Sequence, residues 1–150
     1  RWDVQAGMRA LAGTPSLWPL FESLEAPDGD SELALRLDAL AYVCGQTNRR
    51  DRLVARVRMD ALPDEPTFFI LDCFILKKDD CLKDLAFRPL ARWSEPYVAC
   101  FHPCDYLQGV GNAGDLPKLK ALATQTPRGL RRDIEDAIRA ITIREKILTR

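Results

Sequence analysis

Apolar residues return every three or four positions along most of the chain, and Gly, Pro and Asp-rich turns cut the pattern into short stretches. That spacing lays side chains along one face of an α-helix, whereas a half-buried strand alternates every second residue. The clearest stripe is Leu130, Ile134, Ile138, Ile141 and Ile147 or Leu148, opened by Thr126-Pro127, with Arg and Glu on the other positions. Turns of only a few residues force neighbouring helices to lie antiparallel. The pattern predicts an all-α fold.

Leu33, Leu37, Leu40, Ala41 and Cys44 form a helix with Asp30 and Ser31 as N-caps and Gly45 as its end. Leu53, Val54, Val57 and Ala61 form a second helix, stopping near Pro63. The run from Phe68 to Leu76 fits a buried strand or a buried helix equally well by periodicity. Asp64 and Glu65 ahead of Pro66 mark a helix start, and no other segment offers a strand partner, so helix is expected. Cys81, Leu82, Leu85 and Ala86 mark another helix, ended or interrupted near Pro89, and Pro96 to Val110 a further one, kinked or split at Pro103. After Gly109, Gly111 and Gly114, Asp115 is expected to cap a helix carrying Leu116, Leu119, Leu122 and Ala123. Two short helices are expected near the N-terminus, one on Val4, Met8 and Leu11, the other on Leu17, Trp18, Leu20, Phe21 and Leu24.

A length of 150 residues suits one all-α domain, 1–150, and the start at Arg1 is compatible with a fragment of a longer chain. With 47% hydrophobic and 29% charged residues, the chain is not of the disordered class. No run approaches the roughly 18 apolar residues of a membrane span. Five cysteines, an odd number, read as reduced thiols in a cytoplasmic protein without a visible signal peptide. The abundance of arginine suggests a GC-rich bacterial genome. Basic and acidic side chains number 22 each, which argues against a dedicated nucleic-acid binder. That balance hides an asymmetry: residues 1–75 carry 8 basic and 12 acidic side chains, net −4, and residues 76–150 carry 14 and 10, net +4. A binding surface in the second half and head-to-tail self-association are both consistent with it.

The turns resemble one another. Gly45-Gln-Thr-Asn-Arg-Arg-Asp-Arg-Leu53 and Gly111-Asn-Ala-Gly-Asp-Leu-Pro-Lys-Leu119 each follow an apolar helix, break at Gly and reach a leucine eight residues on. Lys77-Lys78-Asp79-Asp80-Cys81-Leu82 holds a corresponding turn without glycine. Leucines 53, 82 and 119 are 29 and 37 residues apart, close to the period of about 33 to 47 of two-helix repeats. One hairpin cannot bury its own apolar face, so hairpins stack. The stretch Tyr106-Leu107-Gln-Gly-Val-Gly-Asn-Ala-Gly114-Asp-Leu-Pro-Lys-Leu119-Lys-Ala-Leu122 resembles the inter-helix turn of HEAT-like repeats, and Arg128 to Ile141 resembles the opening of a next repeat. Over residues 30–148 this resemblance implies stacked antiparallel hairpins, a HEAT- or armadillo-like α-solenoid. The middle unit lacks the glycine and carries the Phe68–Leu76 run, so an irregular α-bundle stays open.

Chemistry-bearing clusters are few. Cys100-Phe-His102-Pro-Cys104 gathers three zinc-ligand types within five residues, with Cys73 or Cys81 as a conceivable fourth. The spacing is not that of paired zinc knuckles, and on a helix His102 points away from Cys100 and Cys104. Buried cysteines behaving as small hydrophobes is the plainer account. His102 is the single histidine, so any Cys/His nucleophilic pair depends on it, and no nucleophile motif surrounds a cysteine. The pairs Asp64-Glu65, Asp79-Asp80 and Glu135-Asp136 read as caps and solvated faces. Gly109-x-Gly111-x-x-Gly114 spells a dinucleotide fingerprint but follows a helix, not the strand that motif requires. Trp2, Trp18, Trp93 and Tyr97 read as packing residues. Two basic clusters, Arg49, Arg50, Arg52, Arg56, Arg58 and Arg128, Arg131, Arg132, Arg139, are interleaved with acids at pairing distance.

These features predict a non-enzymatic protein-interaction, scaffold or adaptor module without a cofactor, with Arg49, Arg50, Arg52, Arg128, Arg131 and Arg132 as interaction candidates. One alternative is a HEAT-like nucleic-acid-binding domain, since DNA-binding members of that group use a basic concave face. Another is a metal or enzymatic site on Cys100, His102 and Cys104.

Overall fold

A computed structural model describes residues 32–59, 64–91 and 101–149. All regular structure among them is helical, as the spacing of apolar residues predicts. Seven α-helices occur in the described residues: α1 Glu32–Val43, α2 Arg50–Met59, α3 Asp64–Leu76, α4 Lys83–Ala91, α5 Phe101–Val110, α6 Leu116–Gln125 and α7 Arg128–Leu148. Three-residue 3-10 turns, Thr47–Arg49 and Ala113–Asp115, lead into α2 and α6. No described helix is long and apolar enough to cross a membrane. The expected N-terminal helices, the Asp30–Ser31 cap, Ala61, Trp93, Pro96 to Ala99 and Cys100 lie outside the described residues.

The chain divides into two compact units, Arg1–Lys77 and Lys78–Arg150. In the first, α1 packs on α3 and on α2. The ambiguous Phe68–Leu76 run is helical, and its burial explains its composition: Phe68, Ile70, Leu71, Asp72, Cys73 and Phe74 are all buried, so no polar face is needed. Tyr42 of α1 meets Phe74 with ring centroids 5.0 Å apart. Gly45 ends α1 at φ +102°, a left-handed conformation that a side chain rarely adopts.

In the second unit α4 packs on α5, and α7 packs on both α5 and α6. Leu130, Ile134, Ala137 and Ile141 bury the inner face of α7, but Ile147 and Leu148, the alternatives assigned to that stripe from sequence, are both exposed: Ile147 turns about 120° away from Ile141, and Leu148 stands beyond the end of the core. Of the expected Pro96–Val110 region, Phe101–Val110 is one helix with Pro103 near its start, and the part before it lies outside the described residues. Pro103 is the third residue of α5, where backbone N–H groups have no intrahelical acceptor to lose. Pro89 is accommodated within α4, which ends two residues later at Ala91. Asp115 does not cap α6 with its side chain. Its carboxylate accepts the Asn112 N–H at 2.9 Å while the Asn112 carboxamide accepts the Gly114 N–H at 2.9 Å, a reciprocal capping box one turn upstream.

The units share a register. The 3-10 turns start at Thr47 and Ala113, 66 positions apart, and the helices that follow start at Arg50 and Leu116 and both span ten residues. Leu53 and Leu119 stand fourth in those helices and both are buried. Leu82, the middle leucine of the sequence comparison, is buried but stands one residue ahead of α4.

Candidate functional site

Arg49, Arg50 and Arg52 of the first cluster are held by nearby acids. Asp38, reaching out from α1, accepts from Arg49 Nη1 at 2.7 Å and from Arg52 Nη2 at 2.7 and 2.8 Å, one carboxylate joining the 3-10 turn and α2 to α1. Arg50 pairs with the adjacent Asp51 at 3.0 Å. Arg36 bonds Glu32 at 2.7 Å and lies 4.9 Å from the centroid of the Phe69 ring. Arg52 keeps 62% of its side-chain surface in solvent, so this clamp adds only about 1 kcal/mol after screening.

The second cluster is spread along α7. Arg131 donates to the Thr126 carbonyl at 3.0 Å and thereby ties the first turn to the α6–α7 connection, where Thr126 bonds the Leu122 carbonyl. Arg139 pairs with Asp136 at 3.1 Å in an exposed position. Arg128 and Arg132 are exposed and have no ion pair among the described residues. Arg128 and Arg131, in the first turn, oppose the positive end of the helix dipole, and Arg132 follows one residue later. Capping and packing do not account for Arg128 or Arg132.

Further along, Arg144 reaches the C-terminal end of α5. Nη1 donates to the Gln108 carbonyl at 2.9 Å and Nη2 to the Gly111 carbonyl, satisfying groups that the helix end leaves open. This anchors the last turns of α7, which present Ile143, Ile147 and Leu148 at 54%, 67% and 73% exposure. Sequence patterning missed Ile143, although it lies about 200° around the helix from Ile141 at 100° per residue. That offset was the available signal.

A polar cluster surrounds the start of α4. The Tyr106 hydroxyl, fully buried, donates to the Asp79 carbonyl at 2.6 Å and accepts the Leu82 N–H at 3.1 Å. Lys83 pairs with Asp115 at 2.9 Å, both largely buried, and approaches Asp80 at 3.6 Å. Burial holds the Tyr106 phenol above its ordinary range, against the lowering effect of the Leu82 hydrogen bond. These contacts clamp a turn in which Lys78 takes φ 51°.

Of the Cys100, His102, Cys104 group, Cys100 lies outside the described residues. Cys104 is buried and His102 half-buried, two positions apart on α5, so their side chains point about 200° apart. No set of three or more His, Cys, Asp or Glu suited to a metal occurs among the described residues. Cys44 and Cys73 are buried in the first unit. Burial raises both thiols, with Asp72 and then Cys44 adding to the effect on Cys73 and Lys77 opposing it at Cys44. A thiol held protonated is a poor nucleophile. Comparison with known protein families, curated proteins and solved structures gives no match for this chain.

Proposed function

We propose that the chain is a non-enzymatic protein-interaction module, a scaffold or adaptor built from stacked antiparallel hairpins of HEAT-like kind. The observation that carries the reading is the apolar end of α7. Ile143, Ile147 and Leu148 are exposed on a helix anchored by Leu130, Ile134, Ala137, Ile141 and the Arg144 bonds to α5. A rigid helix with exposed isoleucines supplies contact area at little ordering cost, which suits protein recognition. Arg49, Arg50 and Arg52 serve folding through Asp38 and Asp51 in this reading, and the interaction residues lie on α7.

The test is a photo-crosslinking residue at position 147, compared with one at the exposed Lys120 of α6, activated in source cells. A discrete protein adduct at 147 and not at 120 is expected. Identical patterns at the two positions, or no protein adduct, would sink the reading.

One observation favours a second reading. Arg128 and Arg132 are exposed, without ion pairs among the described residues, and Arg128 stands in the first turn, where positive charge costs stability. A nucleic-acid backbone would answer that charge. Retention on heparin that falls steeply with salt and weakens in R128E/R132E would favour this reading, and flow-through at low salt would remove it.

A further inference from the structure

The 66-residue register extends beyond the turns. Residues 64–76 of α3 shifted by 66 become 130–142, inside α7. Five buried positions coincide under that shift, while others, such as Cys73 against the exposed Arg139 and Tyr42 against the exposed Gln108, do not. Ala41 and Leu107, Leu53 and Leu119, Val57 and Ala123, Phe68 and Ile134, and Leu71 and Ala137 are buried as pairs. A 3-10 turn, the ten-residue helix after it and five buried positions therefore recur between the two units, whereas α1 and α3 do not start in that register with α5 and α7.

The same comparison isolates what differs. The α3 counterpart of residue 142 is Leu76, the last residue of that helix, whereas α7 continues to Leu148. All three exposed apolar residues of α7, 143, 147 and 148, stand on this overhang. The counterpart of Leu148 is Leu82, which is fully buried where the chain turns into α4, while Leu148 is 73% exposed. Ile143, Ile147 and Leu148 leave an exposed apolar edge on α7.

The charges beside that edge restrict what can cover it. At 100° per residue, Arg139 and Lys146 fall on one flank of the Ile143–Ile147 row, within about 60° of Ile143, while Glu135 lies about 80° away on the same flank two turns earlier and Asp136 in line with the row. Arg139 is 70% exposed, and its partner Asp136 is itself 43% exposed and available to solvent. Two copies meeting through this edge would bring equivalent basic flanks together, which costs affinity. A segment with carboxylates along one edge of its apolar row gains there instead.

We propose that the Ile143–Ile147 edge of α7, flanked by Arg139 and Lys146, docks an amphipathic helix of a partner protein that carries carboxylates beside its apolar row. This rests on the interaction-module reading and specifies where and what the module binds. Helix-on-helix docking needs an i, i+4 apolar pair on each side, and Ile143 and Ile147 supply one.

The experiment selects a displayed library of helical peptides, with randomised apolar and flanking positions, against the full-length chain at physiological salt. Enriched peptides are measured against the parent, I143D/I147D and R139E/K146E. The expected result is enrichment of Leu or Ile at i, i+4 spacing with flanking Asp and Glu, and a loss of at least tenfold in affinity for I143D/I147D. R139E/K146E should lose the acidic peptide and regain binding to its Lys-flanked counterpart, a swap that unfolding cannot mimic. Enrichment of basic flanks, or binding indifferent to both variants, overturns the proposal. So does a dimer of the parent chain that I143D/I147D dissociates, which gives the edge to a second copy. A protein adduct from position 147 alongside any of these failures leaves the module reading standing and removes only the acidic-helix assignment.

Discussion

Gly111 shows how narrowly a single position can be fixed. A Cβ there would stand 2.5 Å from the Leu107 carbonyl oxygen and 2.5 Å from Ile141 Cδ1, and the first of these is backbone that cannot step aside. Gly111→Ala is therefore expected to cost about 2 kcal/mol by overpacking the α5–α7 contact. At Gly114 a Cβ meets only the Asn112 Oδ1 atom at 3.1 Å, the end of a side chain, so Gly114→Ala should cost less. Urea midpoints at unchanged m-value compare the two, and equal losses would contradict this account. Titration adds a second residue-scale consequence. Cys44, Cys73 and Tyr106 all have folded-state pKa values raised by burial, so the folded chain retains protons that the unfolded chain releases at high pH. Their contribution is complete below the unfolded values, about 8.5 for a thiol and 10 for a phenol, and is lost as pH rises through the folded values. The urea midpoint should hold from about pH 6 to 8 and fall above about 8.5. In C44A/C73A the fall should begin only near pH 10, where Tyr106 takes over. A midpoint unchanged to pH 10 in the parent would contradict the assignment.

Helices, and the turns between them, were the most legible features of the sequence. The stripe through Leu130, Ile134 and Ile141 predicts the long last helix because amphipathic spacing is a local property of the chain. The Phe68–Leu76 run becomes helical for a reason that periodicity cannot express, since a helix buried on most sides has no polar face to reveal it. Where a core ends is not local either. Spacing turns Ile147 about 120° away from Ile141, but nothing in it tells that Ile141 is buried while Leu148, on the same face, is exposed. Ion-pair partners are the least legible, because Asp38 meets Arg49 and Arg52 only once α1 and α2 fold against each other. The contrast within α7 is itself testable. Ile141, fully buried against Gly111, should lose about 2–5 kcal/mol on truncation to Ala. Ile143→Ala, on the exposed side, should stay within about 0.5 kcal/mol. Thermal or urea unfolding of the two variants decides it, and similar losses would mean that Ile143 is part of the core.

For the whole chain, zero net charge is the sum of −4 over residues 1–75 and +4 over residues 76–150. Near the sequence pI of about 6.8 no net repulsion keeps copies apart, and oppositely charged regions on neighbouring molecules attract. Salt screens that attraction, with a Debye length of about 10 Å at 0.1 M and about 30 Å at 0.01 M. The osmotic second virial coefficient, measured by static light scattering near pH 6.8, should therefore be negative at about 0.01 M salt and rise toward zero by about 0.1 M. The attraction arises from charges along the whole chain and not from the α7 edge, so I143S/I147S, which changes no charge, should shift the low-salt value only slightly. R128E/R132E reverses two charges of the basic half and should weaken the attraction distinctly. A coefficient independent of salt would show that the sequence asymmetry creates no effective asymmetry in solution. A response to I143S/I147S as large as that to R128E/R132E would place the self-attraction on the apolar edge instead.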